Sequence, residues 1–242
     1  MLWKIAITTS PRKQSHLQRT IDSLQRAGWE DVLVNEDDGT RGCLGNYLHT
    51  LKTLLQHQAD RYLIVQDDVI FCKALKNYME ESWPSDASAC SPYTPSVYGL
   101  NKKGWSDQSH KSYRTLGALA YTFTREAAQE VLKTIGQLDI EIYINQYDPH
   151  RNTSWIRPNR HVDVRIGIWA HLYHRKLYYH SPSLVQHTGI MTSTLSNETE
   201  DFHKRMAGDF IGEDRTPYQE HTKGCIVITT EGVEHRCMPT WI

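Results

Sequence analysis

Two adjacent carboxylates, Asp67 and Asp68, follow an apolar run, Arg61-Tyr-Leu-Ile-Val, with Gln66 joining the run to the pair. Acids placed directly after a buried strand suit a hard divalent cation, since Mg²⁺ or Mn²⁺ takes oxygen ligands and is commonly shared between one or two carboxylates and substrate phosphates. The same two residues would also solvate a strand end or cap the next helix, and so short a motif taken alone favours that plainer role. The other polar groups that directly follow strand-like runs are Thr8, Thr9, Ser10, Asp37 and Asp38. In open α/β sheets ligands bind beyond the carboxyl ends of the strands, so these side chains are the first to consider.

The elements that must position them alternate. Trp3 to Thr9 is a short β-rich run that stops at Ser10-Pro11. Gln14 to Ala27 places Leu17, Ile21, Leu24 and Ala27 at helical spacing, and Gly28 stands where a helix C-terminus takes a left-handed residue. Asp31 to Val34 reads as a second strand, Leu44 to Gln58 as a second helix, and Arg61 to Val65 as a third strand, apolar enough to be buried on both faces. Further on, Ser91 to Leu100 reads as extended and Lys102 to Arg114 as a polar loop. Thr115 to Phe123 is a strand-like run, with Thr124 as N-cap of a helix to Ile135. An aromatic loop spans Tyr143 to Arg160, a helix Val164 to Tyr173, and short strands Leu177 to Tyr179 and Leu184 to Gln186, after which no periodicity is clear until Cys225 to Thr230. Such alternation predicts a doubly wound α/β sheet.

Composition narrows the function classes. The 242 residues carry a formal net charge of -1, so no global positive field draws nucleic acid or an anionic membrane. No run approaches the roughly 18 apolar residues of a membrane span. The first strand-like run starts at Trp3 without the regions of a signal peptide, so a cytoplasmic protein is expected. Five scattered cysteines, Cys43, Cys72, Cys90, Cys225 and Cys237, form no CxxC pair and suggest reduced thiols rather than a disulfide framework or a zinc site.

Four segments together resemble a known family. Gln66-Asp67-Asp68 after an apolar third strand is similar to the DxD-like triplet of GT-A glycosyltransferases. Leu116-Gly-Ala-Leu-Ala-Tyr-Thr-Phe-Thr-Arg-Glu-Ala-Ala, Val162-Asp163-Val164-Arg165-Ile166-Gly167 and Ser181-Pro-Ser-Leu-Val-Gln-His-Thr-Gly, the last followed by Met191-Thr-Ser-Thr, resemble the later segments of inverting members in the same order. The final segment is similar to that of N-acetylglucosaminyltransferases acting on branched glycans. Gln66 and Val162 depart from the pattern, each replacing an acid.

The resemblance implies one GT-A type domain over 1-242, with a nucleotide-sugar half (1-100), an acceptor and catalytic half (101-195) and a C-terminal extension (196-242). It implies a mostly parallel sheet with helices on both faces and a small antiparallel acceptor-side part. Asp68, His187 and Asp67 would hold Mn²⁺ or Mg²⁺, and Asp163 would take the acceptor's proton, the need of any inverting displacement. Thr8, Thr9, Ser10, Arg12, Asp37, Arg41, Asn46, Gln66, Asp67, Gly117 and Ala118 would contact a nucleotide-sugar donor, with UDP expected. Trp105, Tyr143 and Trp155 would face the acceptor, a glycan, a small molecule or a hydroxymethylated DNA base. Asp163 would serve equally as an N-cap, and Gly117 and Ala118 as tight strand packing. A nucleotidyltransferase and a non-catalytic sugar- or nucleotide-binding domain are the rival readings; Thr8-Thr-Ser-Pro-Arg lacks the glycine-rich loop of the former.

Overall fold

The computed structural model describes residues 1–11, 16–100, 102–157, 159–188 and 206–218, with the backbone of 225–228 and 234–237. In chain order the elements are β1 (Trp3–Thr9), α1 (Leu17–Ala27), β2 (Val32–Glu36), α2 (Gly42–Leu54), β3 (Arg61–Gln66), β4 (Val69–Phe71), α3 (Leu75–Ser82) and β5 (Ala89–Ser91). They continue with β6 (Gly104–Asp107), β7 (Ala120–Thr124), α4 (Arg125–Thr134), α5 (Ile140–Tyr147), α6 (Val162–Leu172), β8 (Leu177–Ser181), β9 (Val185–His187), β10 (Cys225–Ile228) and β11 (Glu234–Cys237). Short 3-10 turns cover Ser96–Tyr98 and Ser109–Arg114.

Seven strands form the central sheet in the order β2-β1-β3-β7-β5-β8-β6. The β1–β2, β1–β3 and β5–β8 pairs are parallel, whereas β7 runs against both β3 and β5 and β6 runs against β8. Five strands therefore point one way and two the other, the mostly parallel α/β sheet expected from the alternation. Strand periodicity divides the core between the two faces. Ile5, Ile7, Leu63 and Val65 pack with Leu24 and Ala27 of α1 and Leu75 and Met79 of α3. Ala6, Tyr62 and Ile64 pack with α2, α4 and α6 on the other face. A smaller cluster joins α5, α6 and the second 3-10 turn through Tyr113, Ile140, Tyr143, Ile144, Val164 and Ile168.

The local signals act where they were read. Gly28 closes α1 with φ 106°, and Thr124 caps α4 by accepting from Ala127 N at 3.2 Å. The strand expected over 115–123 begins only at Ala120, because Gly117 has φ +88° and breaks the extended run. The segment read as a polar loop over 102–114 contains edge strand β6, and the aromatic loop from Tyr143 begins inside α5. Within the expected C-terminal extension, Ala207, Phe210 and Ile211 join the core beside α1, and Glu213 bridges Arg19 and Arg26. No helix among the described residues is long and apolar enough to cross a membrane.

Candidate active site

The carboxyl ends of β1, β2 and β3 lie side by side: Thr8 is in register with Asn35 and Gln66, and Thr9 with Glu36. Because α1 covers one face and α2 the other, this edge is where the winding reverses. Asp67 and Asp68 form the turn between β3 and β4. The Thr20 hydroxyl of α1 fixes that turn, donating to Asp67 O and Val69 O at 2.9 Å each and accepting from Val69 N. Ser23 does the same one turn later for Phe71. Both hydroxyls are fully buried; their place on the apolar stripe of α1 was the sequence signal for this anchor, and only apolar residues were read from it.

β4 pairs with β9 antiparallel, with Val69 opposite His187. That pairing brings Asp68 Oδ2 to 3.6 Å from His187 Nδ1, with both side chains 14% exposed. Thr188 N also donates to Asp68 O at 2.9 Å, and the buried Gln186 fixes the strand by exchanging hydrogen bonds with the Ala207 backbone. The carboxylate and imidazole fit a divalent ion. Asp68 and His187 would hold such an ion through one carboxylate oxygen and one imidazole nitrogen, a donor pair that suits Mn²⁺ better than Mg²⁺. Among the described residues no third potential ligand side chain joins them. Asp67 is buried and accepts from Thr9 Oγ1, so it braces the edge beside Asp68.

Asp163 reaches the same edge from α6. It is the second residue of the helix, whose N-cap position is His161 with φ 61°, so it does not cap by itself. Its Oδ1 accepts from Val164 N at 3.0 Å and its Oδ2 from Gly117 N at 2.7 Å. Gly117 lies three residues before β7, and Gln66 N donates to Leu119 O at 2.9 Å, so the acidic turn that leaves β3 and the Gly117 loop that enters β7 lie at the same edge of the sheet. Desolvation raises the Asp163 pKa above the ordinary carboxylate value, against the two backbone donors and His161, which favour the anion. Gly117 is fixed as glycine twice over, by its φ and by the Tyr93 ring, which a Cβ would meet at 2.2 Å.

The remaining predicted positions divide by burial. Thr8 and Ser10 are half-buried at the end of β1, and Gln66 and Ala118 half-buried beside it. Asn46 is buried, with its amide spent on Thr8 Oγ1, Thr9 O and Asn35, so it holds the strand ends in place. Asp37 is buried and accepts from Gly39 N and Arg41 N, shaping the turn into α2. Arg41 pairs with Asp38 at 2.9 Å. Tyr143 is a core residue, its hydroxyl shared by Ser112 and His171 at 2.6 Å each. Trp105 lies on edge strand β6, bonded to Ser82 and edge-on to the buried His180 at 4.9 Å. Trp155, half-buried, meets His161 edge-on at 5.0 Å and so stands two residues from Asp163. Arg12, Gly189 and Met191-Thr-Ser-Thr lie outside the described residues.

No protein-family model matches the sequence, and comparison with characterised proteins finds no match. Among solved structures the chain is similar to protein A197 from STIV, at 8% identity and TM-score 0.44 over 76% of this chain and 83% of that one. It is also similar to a mutant Drosophila β-1,4-galactosyltransferase 7 in complex with manganese, UDP-Gal and xylobiose, at 10% identity and TM-score 0.45 over 97% of this chain and 92% of that one. Likeness at this level transfers neither reaction nor ligands.

Proposed function

We propose that the chain is a metal-dependent, inverting glycosyltransferase of the GT-A type that moves a hexose or N-acetylhexosamine from a nucleotide sugar, UDP first among donors, to an acceptor hydroxyl. One observation carries this reading: the Asp68–His187 pair follows β3 at the carboxyl edge of a doubly wound sheet, and a carboxylate of raised pKa, Asp163 of α6, is held by the loop that enters the neighbouring β7 at the same edge.

A divalent ion held by Asp68 and His187 would neutralise charge developing on the departing nucleoside diphosphate. Asp163 accepts the proton of the acceptor hydroxyl as that oxygen bonds the anomeric carbon, and the bond to the diphosphate oxygen breaks with its electron pair. A base of raised pKa accepts that proton more readily than an ordinary surface carboxylate. The backbone donors Gly117 N and Val164 N fix the direction in which the carboxylate faces. A non-catalytic binding domain has no use for such a base. With UDP-sugars, Mn²⁺ and an acceptor panel, Asp163→Asn should lose at least about a hundredfold in kcat while binding UDP as tightly as wild type. Turnover above a few per cent of wild type would remove Asp163 from the chemistry.

A further inference from the structure

Beneath Asp163 lies a run of tyrosine hydroxyls for which the transfer step has no direct use. Tyr121 of β7 and Tyr179 of β8 are fully buried, and their hydroxyls hydrogen-bond each other. The Tyr179 hydroxyl also donates to Leu116 O at 3.4 Å. The carbonyl of Leu116 and the N–H of Gly117 belong to one peptide group, and that N–H donates to Asp163 Oδ2 at 2.7 Å. Tyr98 holds the same loop one peptide earlier, accepting from Leu116 N at 2.6 Å and donating to Arg114 O at 3.3 Å. Its ring is edge-on to Tyr179 at 5.2 Å and lies under the Lys111 ammonium at 4.2 Å.

Buried tyrosine hydroxyls need partners, yet a shared partner on one loop is not required by that need. A donor on a peptide carbonyl polarises the group and strengthens its N–H as a donor in turn, since hydrogen bonds in a chain reinforce one another. We propose that Tyr98 and Tyr179 are positioning residues for the proton-accepting carboxylate: Tyr98 sets the place of the Leu116–Gly117 peptide, and Tyr179, backed by Tyr121, polarises it toward Asp163. The proposal rests on Asp163 as the base, but its first readout does not.

That readout is the titration of the Asp163 carboxyl followed by ¹³C NMR, its signal assigned by its loss in Asp163→Asn. The groups facing this carboxyl are His161 from its own loop, Cys43 from α2, and Tyr98, Tyr121 and Tyr179 from the sheet side. Gly117 N–H stabilises the anion, so Tyr179→Phe weakens that donor and moves the midpoint to higher pH; Tyr121→Phe moves it the same way by less. In turnover, Tyr179→Phe should lose about 3- to 10-fold in kcat with donor KM unchanged, and the acid limb of kcat should move up with the midpoint. Tyr98→Phe should lose more, because Leu116 N–H is left without its acceptor. Thermal melts identify any variant that fails to fold. An unmoved midpoint in Tyr179→Phe overturns the proposal, as do equal shifts in Tyr179→Phe and Tyr121→Phe, which indicate only a packing role. A moved midpoint with unchanged turnover leaves the relay standing and removes Asp163 as base.

Discussion

Asp163 gains its chemistry from neighbours that pull in opposite directions. Desolvation pushes its pKa up, while Gly117 N, Val164 N and His161 favour its charge, so the carboxylate is aimed by the same bonds that keep it ionisable. Cys43, exposed at the start of α2, feels it directly: the thiol is pushed up first by desolvation and then by the Asp163 charge, with Arg160 acting the other way. Removing that charge makes the thiolate easier to form. Asp163→Asn should therefore be alkylated by iodoacetamide at Cys43 faster than wild type between about pH 7.5 and 9, with the buried Cys72 and Cys90 unreactive in both. Peptide mapping after a short pulse gives the rate, and equal rates would place the carboxylate away from the first turn of α2.

At the scale of elements, the chain showed its alternating frame but not the contacts that assemble the site. β1, α1, β2, α2 and β3 follow from periodicity and from stop signals such as Gly28, all local. The β4–β9 pairing that joins Asp68 to His187 spans more than a hundred residues between two three-residue strands, and no local pattern announces such a partner. α3 has no reading in the sequence, and neither has the start of α5, where Ile140, Tyr143 and Ile144 are core while Tyr147 is exposed. Gly167 illustrates the rest: it was visible as a motif residue, while its reason is packing. A Cβ there would sit 2.0 Å from Thr115 Oγ1 and 2.1 Å from Ser112 O, so α6 lies directly on the second 3-10 turn. Gly167→Ala must push the helix off that turn at a cost of about 1–3 kcal/mol or more, lowering Tm by about 2–4 °C for each kcal/mol. Asp163 sits one turn earlier on the same helix, so kcat should fall with Tm. Thr115→Ala should rescue only part of either loss, because the Ser112 carbonyl remains; melting measured by circular dichroism together with turnover tests both.

For the whole molecule, charge sets how the proposed nucleotide donor would have to bind. Net charge is -1, so the protein offers no long-range attraction to a diphosphate, and the carboxyl edge itself carries Asp37, Asp67, Asp68 and Asp163. Of the nearby cations, Arg41 is already paired with Asp38. A diphosphate entering this edge alone meets like charge; bound with a divalent ion at Asp68 and His187, it does not. UDP and Mn²⁺ should therefore stabilise the fold only together. By linkage, ligand at a hundred times its Kd contributes about 2.7 kcal/mol, which for a chain of this size raises Tm by about 5–10 °C. UDP alone, Mn²⁺ alone, or both with EDTA should give little of that shift. Asp68→Ala and His187→Ala should melt within a few degrees of the ligand-free wild type and lose the joint shift. If either variant keeps the full shift, or UDP stabilises the wild type as strongly in EDTA as in Mn²⁺, the diphosphate is held by some other part of the molecule.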